Sequence, residues 1–232
     1  MKNLLCFSIA VILFVSCTGN PDSDLKAENE NGLKESITFD NAVFYDENGG
    51  FIEEKAKDAI IALAEYHGYQ VFPQFRERLW VSDYGTGRFT ELGLAACMFM
   101  NNETDRYMLM DLFLLPGQML PEHWHLDGET NPAKLEGWLV RNGKSYIVGV
   151  GEDNLAGFSE IEIPDCHMNG EAETKHVIEA MPGSFTPQSI VYSKHWQFAG
   201  DKGAIITEVA NVHTDVAVRH SDKAINDNFL GI

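Results

Sequence analysis

The amino-acid sequence predicts a mainly β domain, a barrel or jelly roll, with a helical extension at its N-terminal side. Three observations point there. From Leu79 onward, short apolar runs rich in Val, Ile, Phe and Met alternate with Gly, Pro, Asn and Asp clusters, the rhythm of strands joined by turns. One earlier stretch, Phe51 to His67, carries helical spacing instead. Hydrophobic residues make up 44% of the 232-residue chain and aromatics 11%, which is the composition of a folded domain and not of a disordered one. Against 17 Lys and Arg stand 35 Asp and Glu, a formal charge of −18. That balance excludes a nucleic-acid binder, which needs a basic footprint to displace counterions. It also excludes a polybasic membrane-binding face.

The elements follow in order. Lys2 precedes an apolar run from Leu4 to Ser16 and then Cys17. The run is too short for a comfortable permanent span of about 20 residues, and a positive start with a short apolar core describes a cleavable signal. Phe14-Val15-Ser16-Cys17 resembles a bacterial lipobox. Residues 1–16 are therefore expected to be a lipoprotein signal, Cys17 the lipidated mature N-terminus, and residues 17–35, polar with Gly19 and Pro21, a tether. This puts the domain, residues 36–232, in the bacterial cell envelope, touching the membrane only through its anchor. Of the remaining cysteines, Cys97 sits in an apolar run and reads as a small buried hydrophobe, while Cys166 lies in a polar loop. Their pairing is left open, and the lack of a CxxC argues against a thiolate zinc site.

In the helix, Ile52, Ala56, Ile60, Leu63 and Ala64 recur on one face, and Gly68 supplies the stop. Strands are expected over 93–100, 107–115, 135–140, 145–150, 175–180, 189–192 and 204–210.

The chemistry concentrates between Gly117 and Gly143. His123 and His125 flank Trp124; on a strand, residues two apart share a face, so both imidazoles can meet one metal. Lys134 and Glu136 are likewise two apart, and a carboxylate joining two imidazoles suits a first-row divalent ion. His195 is the candidate third imidazole. Gly117, five residues, His123, one residue, His125, then Glu136, six residues, Gly143 resembles the first motif of the cupins. The gap of ten residues between His125 and Glu136 is longer than that family's usual three or four. Glu129 fits the usual gap, but no glycine follows it at the required distance, so Glu136 is preferred and Leu126–Ala133 reads as a loop insertion. The second motif is weaker, since Ile190 and Tyr192 stand where Pro-x-Gly is usual.

A closer resemblance covers most of the chain after the tether. Ala64-Glu65-Tyr66-His67-Gly68-Tyr69, Asp83-Tyr84-Gly85-Thr86-Gly87, Leu92-Gly93-Leu94, Lys134-x-Glu136 and the tail around His195-Trp196, Gly203-Ala204, Glu208, Thr214-Asp215 and Ser221-Asp222 resemble the D-lyxose isomerase family of the cupin superfamily. Here Gly-Trp-Leu-Val-Arg-Asn-Gly follows the glutamate, where the family has Asp-Ile-Ile-Asn-Arg-Gly. The resemblance implies a cupin barrel and a divalent metal, usually manganese with zinc, cobalt or iron as other candidates, held by His123, His125, Glu136 and His195. It also implies a small sugar as substrate, D-lyxose to D-xylulose or D-mannose to D-fructose, with Lys134 beside it. A homodimer stays open.

Such a site suits aldose–ketose isomerisation: a metal polarises the carbonyl, and a base removes the proton from C2. Lys134 can move protons where a nearby metal lowers its pKa. Glu208, in an otherwise apolar strand and on one face with Ile206 and Ala210, is the second candidate base. His167, His176, His213 and His220 are expected at the surface or behind the site, and Trp124, Trp138 and Trp196 beside the ligands, packed. Two other classes use similar parts: an iron-dependent cupin dioxygenase, and a non-catalytic sugar-binding lipoprotein.

Overall fold

The computed structural model describes residues 37–232; the signal, Cys17 and the tether lie outside the described residues. The expected helix forms as α1, Glu53–Tyr66. Its first turn carries Glu53 and Glu54, whose charge is favourable at a helix N-terminus, and Gly68, in the left-handed region, takes the chain away from its end. Its buried residues are Ala56, Ile60, Leu63 and Ala64 of the stripe read from the sequence, joined by Ala59, while Ile52 caps the helix start and is only partly buried. The buried residues pack, together with Phe75 from the short helix α2 (Phe75–Arg78), against Ala95, Cys97, Phe113 and Ile205 on one face of the sheet.

Among the described residues that sheet has nine strands: β1 Leu79–Ser82, β2 Leu94–Asn102, β3 Tyr107–Leu114, β4 Met119–His125, β5 Glu136–Gly149, β6 His176–Ala180, β7 Phe185–Pro187, β8 His195–Ala210 and β9 Val218–His220. All nine pair antiparallel. β8 organises them. Along one edge its first residues pair with β4 and its later ones with β3, while β5 runs along the other edge for nearly the whole length. The sheet curls around the side chains of its inner face, where Leu94, Ala96, Met110, Leu112, Trp138, Val140 and Ile206 form a second apolar core.

Two expectations need correcting. Residues 189–192 are not a strand: Tyr192 adopts a left-handed φ of 65°, and the Ser193 hydroxyl and amide both turn back onto the Ile190 carbonyl. The break expected at Arg141-Asn142-Gly143-Lys144 is not a turn either. β5 continues through it with register shifts on both sides of Asn142–Gly143, so it bends where two strands were expected. Gly143 has φ 70°, and a Cβ there would lie 2.0 Å from the Gly203 carbonyl oxygen; only glycine permits this bend against β8. The short strands β1, β7 and β9 and the C-terminal helix α3, Lys223–Leu230, are too brief or too polar to give a sequence signal. α3 is nonetheless well fixed. Asp222 accepts from the amides of Ala224 and Ile225 at its start and from Met168 across the chain.

Candidate metal centre and active site

β4 delivers His123 and His125 from one face, with Trp124 turned the other way and only half buried. β8 begins at His195, which pairs directly with His123 across the ladder, and β5 begins at Glu136. Three strand ends thus bring His123, His125, Glu136 and His195 together. All four are buried, and one ligand-type atom from each lies within 4.8 Å of every other. The alternative carboxylate, Glu129, is exposed in the loop between β4 and β5.

The hydrogen bonds orient the rings for a cation. Nδ1 of His123 lies 2.9 Å from the Pro121 carbonyl, and Nδ1 of His195 lies 3.0 Å from the Ser193 carbonyl. A carbonyl only accepts, so each Nδ1 carries its proton, and each Nε2 is left with a lone pair. The Nε2 atoms of His125 and His195 both sit 3.0 Å from Glu136 Oε1, yet none of these three buried atoms has a hydrogen-bond partner. Lone pairs facing a carboxylate oxygen in a dry site are stable only with positive charge among them. The donor set therefore fits a divalent ion. Burial first, then the neighbouring imidazoles, keeps His123 far below the usual histidine range, and burial brings His125 down to about 4 against the pull of Glu136. Both rings are neutral at physiological pH, the form that ligates.

Beside the cluster lies a second charged group. Lys134 Nζ is 2.8 Å from Glu136 Oε2 and also pairs with Glu208; Trp138 Nε1 donates to the other oxygen of Glu208 at 3.3 Å. All of these are buried. Burial works against the Lys134 ammonium, but Glu136 and Glu208 together hold its pKa above the ordinary value. Glu136 is held well below the usual carboxylate range despite its burial, by Lys134 and the imidazoles. Burial pushes Glu208 up to about 8, with Lys134 opposing. The fixed charges are thus an ammonium and one carboxylate, and Glu208 is the group able to hold or release a proton near neutrality.

The site opens into a cavity of about 600 Å³ lined by His123, His125, Lys134 and Glu208. Its apolar wall comes from the inner sheet face, including Leu94, Met110 and Leu112. The other wall is the C-terminal segment. His213 and Asp215 line it, as do Val218 and His220 of β9 and Phe229 of α3. His220 packs against the rings of Tyr84 and Phe229. Here the sequence reading falls short, since it expected His213 and His220 at the surface or behind the site. A histidine on a three-residue strand has no periodicity to mark it. His167, expected in the same places, is buried away from the cavity, bridging the Glu122 amide and the Glu171 carbonyl. Trp138 and Trp196 are buried as expected. Trp124 carries Lys194 4.6 Å above its ring. Cys97 and Cys166 are free thiols, the first buried.

No family model matches the chain. Individual relatives do. The chain is 32% identical over 171 residues to D-lyxose/D-mannose isomerase from Thermosediminibacter oceani, a match covering 71% of this chain and 84% of that protein. It belongs to the D-lyxose isomerase family. D-lyxose ketol-isomerase from Cohnella laeviribosi is 30% identical over 166 residues, 69% of this chain and 85% of that one. Among solved structures, L-ribose isomerase from Cellulomonas parahominis superposes with a TM-score of 0.54 at 14% identity, over 76% of this chain and 94% of that chain. L-ribose isomerase from Acinetobacter sp. DL28 does so with a TM-score of 0.54 at 12% identity, over 80% and 96%. At such identities the likeness is one of fold, the cupin barrel that this D-lyxose isomerase family member shares with them.

Proposed function

We propose that this family member interconverts a free aldose and its ketose, with D-lyxose and D-xylulose, or D-mannose and D-fructose, as the pairs to test first. The observation that supports it most is the placement of the Lys134–Glu208 pair beside the four clustered donors His123, His125, Glu136 and His195, three of which carry buried atoms with no hydrogen-bond partner, at the wall of a sugar-sized cavity. His123, His125, Glu136 and His195 would hold the metal, manganese by family resemblance, and when bound it supplies a Lewis acid for the carbonyl of the open-chain sugar. The chain's own residues do the rest. Glu208 takes the proton from C2 and returns it at C1, while Lys134 gives a proton to O1 and takes one back from O2, so that the aldose becomes the ketose with no net gain or loss of protons. The Lys134 ammonium holds Glu208 in place and stabilises negative charge on the neighbouring sugar oxygens. The apolar wall keeps water from quenching the carbanion-like species.

Metal analysis of the purified protein, followed by a panel of aldoses assayed for ketose, tests this reading. Chelation should abolish turnover and divalent cations should restore it. Oxygen uptake with a sugar or acid substrate would favour a dioxygenase instead. Sugar binding with no turnover at full metal would favour a binding protein.

The lipid anchor is a separate proposal, supported by the apolar run before Cys17. Cys17→Ala should release the protein from membranes or block its processing, with turnover of the domain unchanged. Normal cleavage with unchanged membrane retention would refute it.

A further inference from the structure

A free aldose closes on itself as a cyclic hemiacetal, so an enzyme that works at C1 and C2 must first meet or make the open chain. Neither Glu208 nor Lys134 is free for that step, because each is tied to the other and to the enolisation chemistry. A different pair on the opposite wall of the cavity is. His213 Nε2 lies 2.7 Å from Asp215 Oδ1. The carboxylate accepts, so Nε2 carries the proton and Nδ1 keeps a lone pair. That Nδ1 is buried and has no hydrogen-bond partner. The ring stands 6.4 Å, centroid to centroid, from the ring of His125, at the metal-ligand end of the cavity. It is also rigidly mounted. The Asn101 side chain clasps the residue's backbone, donating to the His213 carbonyl at 2.9 Å and accepting from its amide at 3.0 Å. His220, the other cavity histidine outside the ligand cluster, has no carboxylate partner among the described contacts and is wedged between Tyr84 and Phe229.

We propose that His213, oriented by Asp215, opens the sugar ring. This rests on the isomerase reading above. The step balances with one nitrogen and no co-reactant. The O1 hydroxyl proton moves to Nδ1, the C1–O1 carbonyl forms as the bond from C1 to the ring oxygen breaks, and the ring oxygen takes the proton back from Nδ1. Both oxygens are bonded to C1, so a single imidazole edge reaches both. Asp215 stabilises the transient imidazolium through Nε2.

The test uses the metal-loaded protein with an aldose carrying deuterium at C2, alongside glyceraldehyde, which is too short to close a stable ring. In the wild type, turnover of the aldose establishes the isomerase reading; its absence would sink that reading and this one together. In His213→Gln the ratio of aldose to glyceraldehyde turnover should fall about 10²-fold, and the C2 isotope effect should shrink toward unity, because ring opening then limits the rate. Asp215→Asn, at an exposed position, should move both readouts in the same direction by a smaller factor. Metal content should be unchanged in each. A fall in both substrates alike, or an undiminished isotope effect beside the slower aldose turnover, would overturn the ring-opening role while leaving the isomerase reading intact.

Discussion

Thr207 and Glu208 are neighbours on β8, and both are buried, yet they face opposite sides of the sheet and meet opposite conditions. On the α1 side, the Thr207 hydroxyl donates to Asp111 at 2.6 Å, and the Tyr69 hydroxyl donates to the other Asp111 oxygen at 2.8 Å. The acid on that side is matched oxygen by oxygen. On the cavity side, buried polar atoms without a hydrogen-bond partner gather on His125, His195, His213 and His220. Each such atom costs about 1–3 kcal/mol when it stays unmatched. A fold that matches its polar groups so closely across one strand has the means to match them on the other side. That it leaves them open there, next to an ammonium and two carboxylates, marks the inner face as the side completed by ligands.

The comparison breaks most visibly if the ligand cluster is not a ligand cluster. His125→Ala should remove most of the bound metal and lower turnover by about 10³-fold or more, since a Lewis acid is worth several kcal/mol of barrier. Glu136→Ala should do the same, with a loss of stability added because it strips the buried Lys134 of a partner. Glu129→Ala should leave metal and turnover as they were. Equal metal loss in both glutamate variants would move the fourth ligand into the loop before β5.

A smaller effect is expected one step from the metal. Lys134→Met should keep the metal, because the four donors remain, and lower turnover by about 10²-fold. Metal content and initial rate measured on the same preparation decide it. Full metal with near wild-type turnover would reduce Lys134 to a charge that merely balances Glu136 and Glu208, and would leave Glu208 to act alone.

The same contrast explains what was legible in the sequence. His123, His125 and Glu136 stand within one short segment, and alternation on a strand is enough to aim two of them together. Ile60 and Leu63 announce α1 through spacing alone. His195 needed the family resemblance, because its strand partner His123 is far away in the chain and no local pattern links them. The C-terminal wall was legible only as Thr214-Asp215 and Ser221-Asp222 of the family tail, with no part in the cavity attached to them. His213 lies outside any strand and His220 ends a three-residue one, and their place is set by Asn101, by Asp222 capping α3 and by Phe229 against Tyr84. Such contacts are tertiary and leave no periodicity. The kinked β5 misled for the opposite reason: Asn-Gly is a strong turn signal, and here it makes a bend against Gly203 without ending the strand.

The smallest expected effect sharpens the comparison from the scaffold side. Burial first, then Asp111, raises the pKa of Tyr69, so its hydroxyl stays a donor across the working pH range. Tyr69→Phe removes one of the two donors to Asp111 and leaves Thr207 in place. The cost should be about 1 kcal/mol, the net worth of one such bond and part of a desolvation penalty, read as a lower urea midpoint at unchanged slope. Turnover per bound metal should not change, because Tyr69 lies on the α1 side, with its ring against Phe75 and Phe113, and not in the cavity. A drop in turnover at full metal occupancy would show that strain passes through β8 from Thr207 to Glu208. The two faces would then be one mechanical unit, and the matched side would be part of how Glu208 is held.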